Sequence, residues 1–438
     1  MRVHFIGICG ISMKALAELS FHLGHKVSGS DITNTRIINY LKSVGIDAYI
    51  GLNTKKLIDV DCVVFSSSIN EKNEELQYAK AHNILCLERS DYLNEISKLC
   101  NTTIVVSGSH GKSTTTNIIA QCLEKYNYGL IGHVGADIIN RQSNLIFTGF
   151  DYFVSEGCEY KKNILKLHPD YAVILNIDFD HPDTYSSLQE VESTFIDFSH
   201  NVKKALIVHE DILDKFNHYK NVISFGKNPL NDYSYQILKR TKERTIMQIE
   251  KKGIIKNIVS IDSVIESNCL NYLASYALLE QIVDQNLINE NLFKGINGIK
   301  RRCEKVGKYL GVDVIVDYAH HPKEIENIYS NLSNFYSNIL VVFEAHTYSR
   351  TIKLFDEFKE VFLNIKNVVF LPTFASREEI QKDIVITLAK ECNKKYISSY
   401  YDCIKFIEKN VQNYDLILIL GAGNAYKISK QIFMDKMG

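Results

Sequence analysis

Short runs of β-branched and aliphatic residues recur along this chain, and each stops at a glycine or polar turn before a stretch with helical spacing. That alternation is the pattern of parallel α/β construction, in which strands buried on both faces read as continuous apolar runs and crossover helices cover them. Val3–Ile6, Cys62–Phe65, Thr103–Ser107, Tyr152–Ser155, Tyr171–Leu175 and Ala205–Val208 read as strands in the first part of the chain. Val312–Val316, Ile339–Phe343, Val368–Leu371 and Leu416–Leu420 read as strands in the last part. Helical spacing predicts helices at Ile11–Leu23, from Lys112 onward and near Leu270–Ile282. Residues 226–265 read as polar and irregular, with β-like pieces at Thr245–Ile249 and Ile254–Ser260. A chain of 438 residues is too long for one ordinary domain, and about 150 residues per domain gives roughly three. The expected domains are 1–98, 99–297 and 298–438, the last boundary lying beside Gly295, Gly298 and the basic cluster Lys300-Arg301-Arg302.

Composition excludes several classes. Fifty Lys and Arg against 51 Asp and Glu leave a net charge of -1, so no overall field favours nucleic acid or an anionic membrane. The ten cysteines are scattered without a CxxC pair, as expected for small buried thiols in a reducing compartment. The amino terminus enters a strand pattern with no signal-peptide apolar stretch, and no apolar run approaches the ~18 residues of a membrane span. The expectation is a cytoplasmic protein without a nucleic-acid partner or membrane insertion, as a monomer or homodimer.

The strongest local signal is Val105–Thr116, where a β-branched strand runs into Gly108-Ser109-His110-Gly111-Lys112-Ser113-Thr114 and on into a helix. Backbone N–H groups in such a turn converge on phosphate oxygens at a helix N-terminus. Lys112 adds a point charge for the phosphates, and Ser113 offers a hydroxyl to Mg²⁺. Val106 stands where the longer form of this loop has its first glycine, so the motif is a shortened Gly-x-x-Gly-Lys-Ser.

Open α/β sheets place their sites beyond the carboxyl ends of the strands. Here Tyr152–Ser155 ends at Glu156, and Tyr171–Leu175 ends at Asn176 with Asp180 and His181 beyond. Val312–Val316 ends at Asp317, then Tyr318, His320 and His321; Ile339–Phe343 ends at Glu344, then His346 and Arg350. A carboxylate buried at a strand end needs a cation, and Glu156 behind a phosphate loop points to Mg²⁺. The amino-terminal turn Gly7-Ile8-Cys9-Gly10-Ile11-Ser12 also leads from a strand into a helix, with Asp31 twenty-one residues after Gly10. That offset is near the one for a ribose-binding acid. The turn either binds a nucleotide diphosphate or is structural.

Taken in order from residue 3 to about residue 428, the chain resembles the Mur ligases. The blocks that carry the likeness are His4–Met13, Val27–Asp31, Ser107–Thr116, Glu156–Glu159, Asn176–His181, Asn268–Asn271, Ile299–Arg302, Asp317–Pro322, His346–Thr351 and Leu420–Asn424. The resemblance implies a Rossmann-like first domain for a UDP sugar and a central P-loop ATPase-type domain with a mostly parallel sheet. A smaller Rossmann-like third domain would close over the nucleotide and amino acid. It is greatest to the branch of the family that joins L-alanine to the lactyl carboxylate of UDP-N-acetylmuramate, with ATP and Mg²⁺. By family position, Ser113, Glu156 and His181 hold metal, and Gly108–Thr114, Asn268, Asn271, Arg302 and Asp317 hold ATP. Gly7, Cys9, Gly10, Ile11, Ser12, Ser30, Asp31 and Ser67 are the implied UDP-sugar contacts. Tyr318, His320, His346 and Arg350 are the implied amino-acid contacts, and Lys112, Glu156, His181, His320 and Arg350 the implied catalytic set.

The chain departs from the family at Cys9 and Ser12 in the first turn, Ser267 before the adenine block, Thr347, and Cys158 and Tyr160. Leu188–Asn201 holds no lysine, so the carbamylated lysine of some relatives is not expected. Two alternatives remain at this level: a ligase of the same family that attaches a tripeptide, and a nucleotide sensor without catalysis. The intact Gly111, Lys112, Ser113, Glu156 and His181 argue against the sensor.

Overall fold

A computed structural model describes residues 1–32, 35–179, 184–376 and 378–434, without the side chain of residue 434. The chain divides into two compact units. The first comprises residues 1–239, 245–262 and 267–299; the second comprises 240–244, 263–266 and 300 onward.

The first unit begins with strands β1 (Arg2–Ile6), β2 (Lys26–Asp31), β3 (Asp47–Ile50), β4 (Cys62–Phe65) and β5 (Leu85–Glu88). Helices α1 (Ile11–His22), α2 (Thr35–Ser43), α3 (Glu74–Ala81) and α4 (Arg89–Ser97) connect or follow them. The sheet is parallel, in the order β3-β2-β1-β4-β5. The chain leaves β1 towards one side and later returns to β4 on the other. The turns after β1 and β4, Gly7–Ser12 and Ser66–Ser68, therefore flank the topological switch point where doubly wound sheets bind ligands.

The next sheet takes β6 (Thr102–Ser107), β7 (Leu130–His133), β8 (Leu145–Phe147), β9 (Tyr152–Glu156), β10 (Tyr171–Ile174), β11 (Ala205–His209) and β12 (Val222–Gly226). It continues through β13 (Tyr233–Arg240), β14 (Thr245–Lys251) and β15 (Ile254–Ile261), with helices α5 (Lys112–Lys125), α6 (Leu188–Ser199) and α7 (Ser267–Ile282). The strand order is β15-β14-β13-β12-β11-β10-β6-β9-β7-β8. β7, β9, β6, β10, β11 and β12 are parallel neighbours, so His133, Glu156, Ser107, Leu175 and His209 come to one edge. β6 is buried from Thr103 to Ser107; α5 packs over it and against α7, which covers β10–β12, with Ile118, Ile119, Leu123, Leu273 and Leu278 in the core.

Within residues 226–265 the expected β-like pieces at Thr245–Ile249 and Ile254–Ser260 are β14 and β15, and the stretch read as irregular before them holds a further long strand, β13. β14 alternates Thr245, Met247 and Ile249 in the core with less buried Ile246 and Gln248, the period-two signature of a sheet covered on one face. β13 was hidden because only its first half is buried, Gln236, Leu238 and Lys239 being exposed.

The second unit carries β16 (Glu304–Tyr309), β17 (Val312–Asp317), β18 (Ile339–His346), β19 (Asn367–Phe374), β20 (Lys395–Tyr396) and β21 (Leu416–Leu420). Its helices are α8 (Pro322–Ser333), α9 (Tyr348–Lys353), α10 (Phe355–Leu363), α11 (Ile384–Glu391), α12 (Tyr400–Asn410) and α13 (Tyr426–Met434). The order is β16-β17-β21-β18-β19-β20, with only the β16–β17 pair antiparallel. α8 starts on a capping box: the His321 ring accepts from the Lys323 amide, Glu324 reaches back to the cap and Pro322 occupies the first turn. His321, read from the sequence as chemically useful, is thus a helix cap. No helix among the described residues is long and apolar enough to cross a membrane.

Candidate active site

The loop after β6 is shaped by two left-handed glycines. Gly108 has φ +130 and a Cβ there would meet the Asn176 backbone at 3.0 Å; Gly111 has φ +86 and caps α5. Asn176 clips the loop, accepting from the His110 amide at 2.8 Å and donating to the His110 carbonyl at 3.1 Å. Ser109 and Asp178 pair in the same way: the Ser109 hydroxyl donates to the Asp178 carbonyl at 3.1 Å and lies 2.8 Å from the Asp178 amide. Ser113 and Thr114 are half-buried in the first turn of α5.

Lys112 does not reach into solvent. Its ammonium donates to both carboxylate oxygens of Glu159 at 3.0 Å and to the Ser109 carbonyl at 3.2 Å. The Glu159 side chain is 2% exposed, and its main-chain carbonyl accepts from the Tyr185 hydroxyl at 2.6 Å. Glu159, for which the sequence pattern implies no role, is the partner of the phosphate-loop lysine.

Glu156 ends β9 in register with Val106, one strand over from the loop. The Gly135 amide donates to its Oε1 at 2.5 Å, and a Cβ on Gly135 would strike that carboxylate. Among the described residues no three His, Cys, Asp or Glu side chains make a metal cage of their own. A carboxylate and a hydroxyl beside a phosphate loop fit Mg²⁺, which takes one or two carboxylates and completes its octahedron with water and substrate phosphates. His181 and Asp180 lie outside the described residues.

A cavity of about 240 Å³ opens beside the loop, lined by His110, Gly111, Asn176, His209, Phe225 and Asn271 among others. Asn271 donates to the Asn268 side chain at 3.0 Å, so the two expected amides act as a pair at the start of α7. Phe225 meets the His209 ring edge-on at 5.3 Å and forms one wall.

At the first sheet's switch point, the Ser30 carbonyl accepts from the Gly7 amide at 2.8 Å and the Ile8 amide at 3.0 Å. Asp31 Oδ2 accepts from the Cys9 amide at 2.9 Å, and the Gly10 amide donates to the Gly7 carbonyl at 3.1 Å. The turn thus uses its own first amides for shape. An anion is left to the N-terminal end of α1, at Ile11, Ser12 and Met13, which has no side-chain cap. Asp31, chosen from its offset, buttresses the turn. The Ser30 hydroxyl donates to buried Glu75, which also accepts from the Tyr49 hydroxyl at 2.9 Å and the Asn53 amide at 2.8 Å. The Ser67 carbonyl accepts from Lys161 Nζ at 2.8 Å.

The second unit gathers its expected residues at the ends of β17 and β18. The His320 ring lies 5.3 Å from the Tyr318 ring and 5.6 Å from the His346 ring, and Arg350 Nη1 is 3.5 Å from His346 Nδ1. Burial, with His320 and Arg350 nearby, pushes the His346 imidazole down to about 4. Burial also lowers His320, so the ring is neutral near pH 7. His320 Nδ1 donates to the Tyr318 carbonyl at 3.0 Å, which leaves the lone pair on Nε2. Asp317 is buried, accepting from the Cys303 amide at 2.6 Å and the Ala319 amide at 2.7 Å, and burial pushes its carboxyl up against the pull of Arg302. Arg302 lies over the Tyr318 ring at 5.3 Å. Arg301, given no role from the sequence, is held between the Tyr318 and Tyr426 rings at 4.7 Å each and donates to the Gly421 carbonyl at 2.6 Å.

A phosphate loop on a parallel sheet, with a nucleotide-type sheet before it and a third α/β sheet after it, defines a nucleotide-dependent enzyme of multidomain build. The chain belongs to the Mur ligase family. Its residues 2–100 match the Mur ligase family catalytic domain, 106–279 the Mur ligase middle domain, and 301–423 the Mur ligase glutamate ligase domain. A UDP-N-acetylmuramate–L-alanine ligase of Clostridium acetobutylicum is 34% identical over 454 residues, covering 99% of this chain and 98% of that protein. One from Acetivibrio thermocellus is 34% identical over 465 residues, covering 99% and 96%. The crystal structure of the UDP-N-acetylmuramate-alanine ligase of Thermotoga maritima superposes with a TM-score of 0.86 at 23% identity, covering 100% of this chain and 99% of that one. A murein peptide ligase from Psychrobacter arcticus gives a TM-score of 0.68 at 19% identity, covering 99% and 98%.

Proposed function

We propose that this chain is an ATP-dependent ligase that joins L-alanine to the lactyl carboxylate of UDP-N-acetylmuramate, a step in building peptidoglycan in the cytoplasm. The observation that carries the reading is the Gly108–Ser113 cradle with Lys112 at its mouth and Glu156 one strand away, in a chain matched end to end by proteins named for that reaction. Residues 1–98 would bind the UDP sugar, 99–297 ATP, and 298–438 the amino acid and part of the nucleotide.

A carboxylate is a poor acyl donor. Transfer of the γ-phosphoryl group to the lactyl carboxylate makes an acyl phosphate and releases ADP. The alanine amine then attacks the acyl carbon, the tetrahedral intermediate expels phosphate, and an amide remains. The transfer crowds negative charge, which Lys112 and the loop amides offset. Bound Mg²⁺, held by Ser113, Glu156 and, by family position, His181, would neutralise the phosphates. Asn268 and Asn271 would meet the adenine edge, and Arg302 and Asp317 the phosphate and ribose. Arg350 would pair with the alanine carboxylate. His320 Nε2, with its lone pair bare, would take the proton that the attacking amine sheds.

The test is ADP release by purified protein given ATP, Mg²⁺, UDP-N-acetylmuramate and each common amino acid in turn. Turnover should require the sugar nucleotide and be highest with L-alanine. No amino-acid-dependent release, or a preference for a tripeptide, would overturn the reading.

A further inference from the structure

His133 ends β7, is 3% exposed and belongs to none of the motifs above. It lies between two polar groups from separate sheets. Its Nε2 is 2.8 Å from the Ser12 hydroxyl, at the start of α1, and its Nδ1 is 3.0 Å from the Ser155 hydroxyl on β9. Ser12 Oγ also accepts from Arg89 Nη1 at 3.3 Å. The Ser155 hydroxyl faces the Glu156 carbonyl at 3.4 Å.

Starting from Arg89, these contacts admit one continuous direction. A guanidinium only donates, so Ser12 accepts from Arg89 and has one hydrogen left to give. Given to His133 Nε2, that hydrogen makes Nε2 the unprotonated nitrogen. In that direction the ring proton is on Nδ1 and goes to Ser155, whose own hydrogen turns to the Glu156 carbonyl. A charged ring would present a second donor to Ser12 and break the order. Burial, with the positive charge of Arg89 as the second cause, pushes this imidazole down to about 4, which keeps it neutral. Two residues beyond His133, the Gly135 amide holds Glu156 Oε1, so the segment that His133 anchors also sets that carboxylate.

We propose that Arg89, Ser12, His133 and Ser155 form a directional hydrogen-bond relay joining the turn that receives the sugar nucleotide to the strand that presents Glu156, with His133 as a positioning residue for the ligation. A histidine that merely filled space would need no fixed order of donors. This one connects the two sheets whose ligands must meet. The inference rests on the ligase reading for what the relay serves, but not for the relay itself.

Three variants of the full chain and one spectrum test it. His133→Gln keeps an acceptor and a donor, His133→Leu keeps bulk alone, and Ser12→Ala cuts the relay at its half-buried end. His133→Leu should lower kcat and raise KM for UDP-N-acetylmuramate, together costing about tenfold or more in kcat/KM, with ATP affinity in the absence of the sugar within about twofold. His133→Gln should recover to within about threefold, and the losses from Ser12→Ala and His133→Leu should overlap instead of multiplying. Histidine ¹⁵N spectra at neutral pH should show His133 as the Nδ1–H tautomer. Unchanged constants in His133→Leu, equal damage from Gln and Leu, multiplicative losses or an Nε2–H ring would each overturn the relay. If the wild-type protein makes no alanine adduct, the ligase reading fails, and the tautomer alone then decides whether the relay exists. If His133→Leu does not fold, Ser12→Ala and the spectrum carry the test.

Discussion

Substituting Lys112 by Met should do two separable kinds of damage. The first is to stability. Lys112 holds a Glu159 carboxylate that is 2% exposed, through two bonds of 3.0 Å, and its own side chain is 16% exposed. Removing one partner of a buried pair strands the other charge, which typically costs ~3–5 kcal/mol; the partial exposure of Lys112 puts this case near the lower end, about 3 kcal/mol. The second is to turnover. Losing one preorganised charge at the transferring phosphoryl group should cost about 2–4 kcal/mol of transition-state stabilisation, or roughly 30- to 1,000-fold in kcat. The double variant Lys112→Met/Glu159→Gln replaces the ion pair with neutral groups and should return to within about 1 kcal/mol of wild-type stability. Its turnover should stay as low as in the single variant. The chain has no tryptophan, so unfolding in urea is followed by far-UV circular dichroism, on the transition that ATP shifts upward. Turnover is followed by ADP release. A single variant as stable as wild type would refute the buried-pair reasoning. A double variant that regains both stability and turnover would reduce Lys112 to a structural role.

Three further perturbations follow from the same geometry. Gly135→Ala builds a Cβ 2.5 Å from both Glu156 oxygens, so turnover should fall about 10- to 100-fold and its half-saturating Mg²⁺ rise, with folding retained because a side-chain end can yield; an unchanged Mg²⁺ titration would count against Glu156 as a ligand. Gly111→Ala forces a side chain into the left-handed region, at about 1–2 kcal/mol, and towards Asn271 Oδ1 at 2.5 Å, so calorimetry should find ATP binding weakened beyond what the stability loss explains. Glu75 is buried; burial alone would raise its carboxyl, but the contacts from His4, Ser30 and the Asn53 amide outweigh it and hold the value at about 2, below the ordinary 4.5. A depressed acid stabilises above its unfolded value and loses that contribution as pH falls through the folded one, so the gap between wild type and Glu75→Gln should be about 3 kcal/mol at pH 7 and close between pH 4.5 and 2. A gap that is flat with pH in urea titrations would refute it.

What the sequence made legible was local. β6, β10 and β21 are covered on both faces, so their apolar runs stand out without a partner strand in view. The phosphate loop was visible because a left-handed turn before a helix needs glycine at Gly108 and Gly111 whatever packs around it. The short edge strands β3, β5 and β20 are mostly half-buried or exposed and gave no such run. The contacts that hold the site were hidden for a different reason. Lys112 meets Glu159 across 47 positions, His110 meets Asn176 across 66, and Ser12 meets His133 across 121. No spacing rule reaches that far. Sequence periodicity tells which residues face inward but not which inward-facing polar groups meet.

An acid at the end of a buried strand is one signal with several outcomes. Glu156, Asp317 and Glu344 each follow an apolar run and looked alike. The structure sorts them by the donors around them. Glu344 accepts from the Ala425 amide at 3.2 Å, the Asn424 amide at 2.5 Å and the Tyr400 hydroxyl, and Cβ atoms on Gly421 or Gly423 would collide with it. Its work is to fold the 421–425 loop around itself, and burial accordingly raises its carboxyl. Asp317 is likewise engaged by two amides, and both acids are oriented before any ligand arrives. Glu156 differs in its neighbour: it lies in register with Val106, at the mouth of the loop that holds Lys112. On the proposed reading, a strand-end carboxylate serves as a metal ligand where the next strand brings phosphate to it. The order of β6 and β9 in the sheet, more than the acid itself, would then decide which of the three holds the metal.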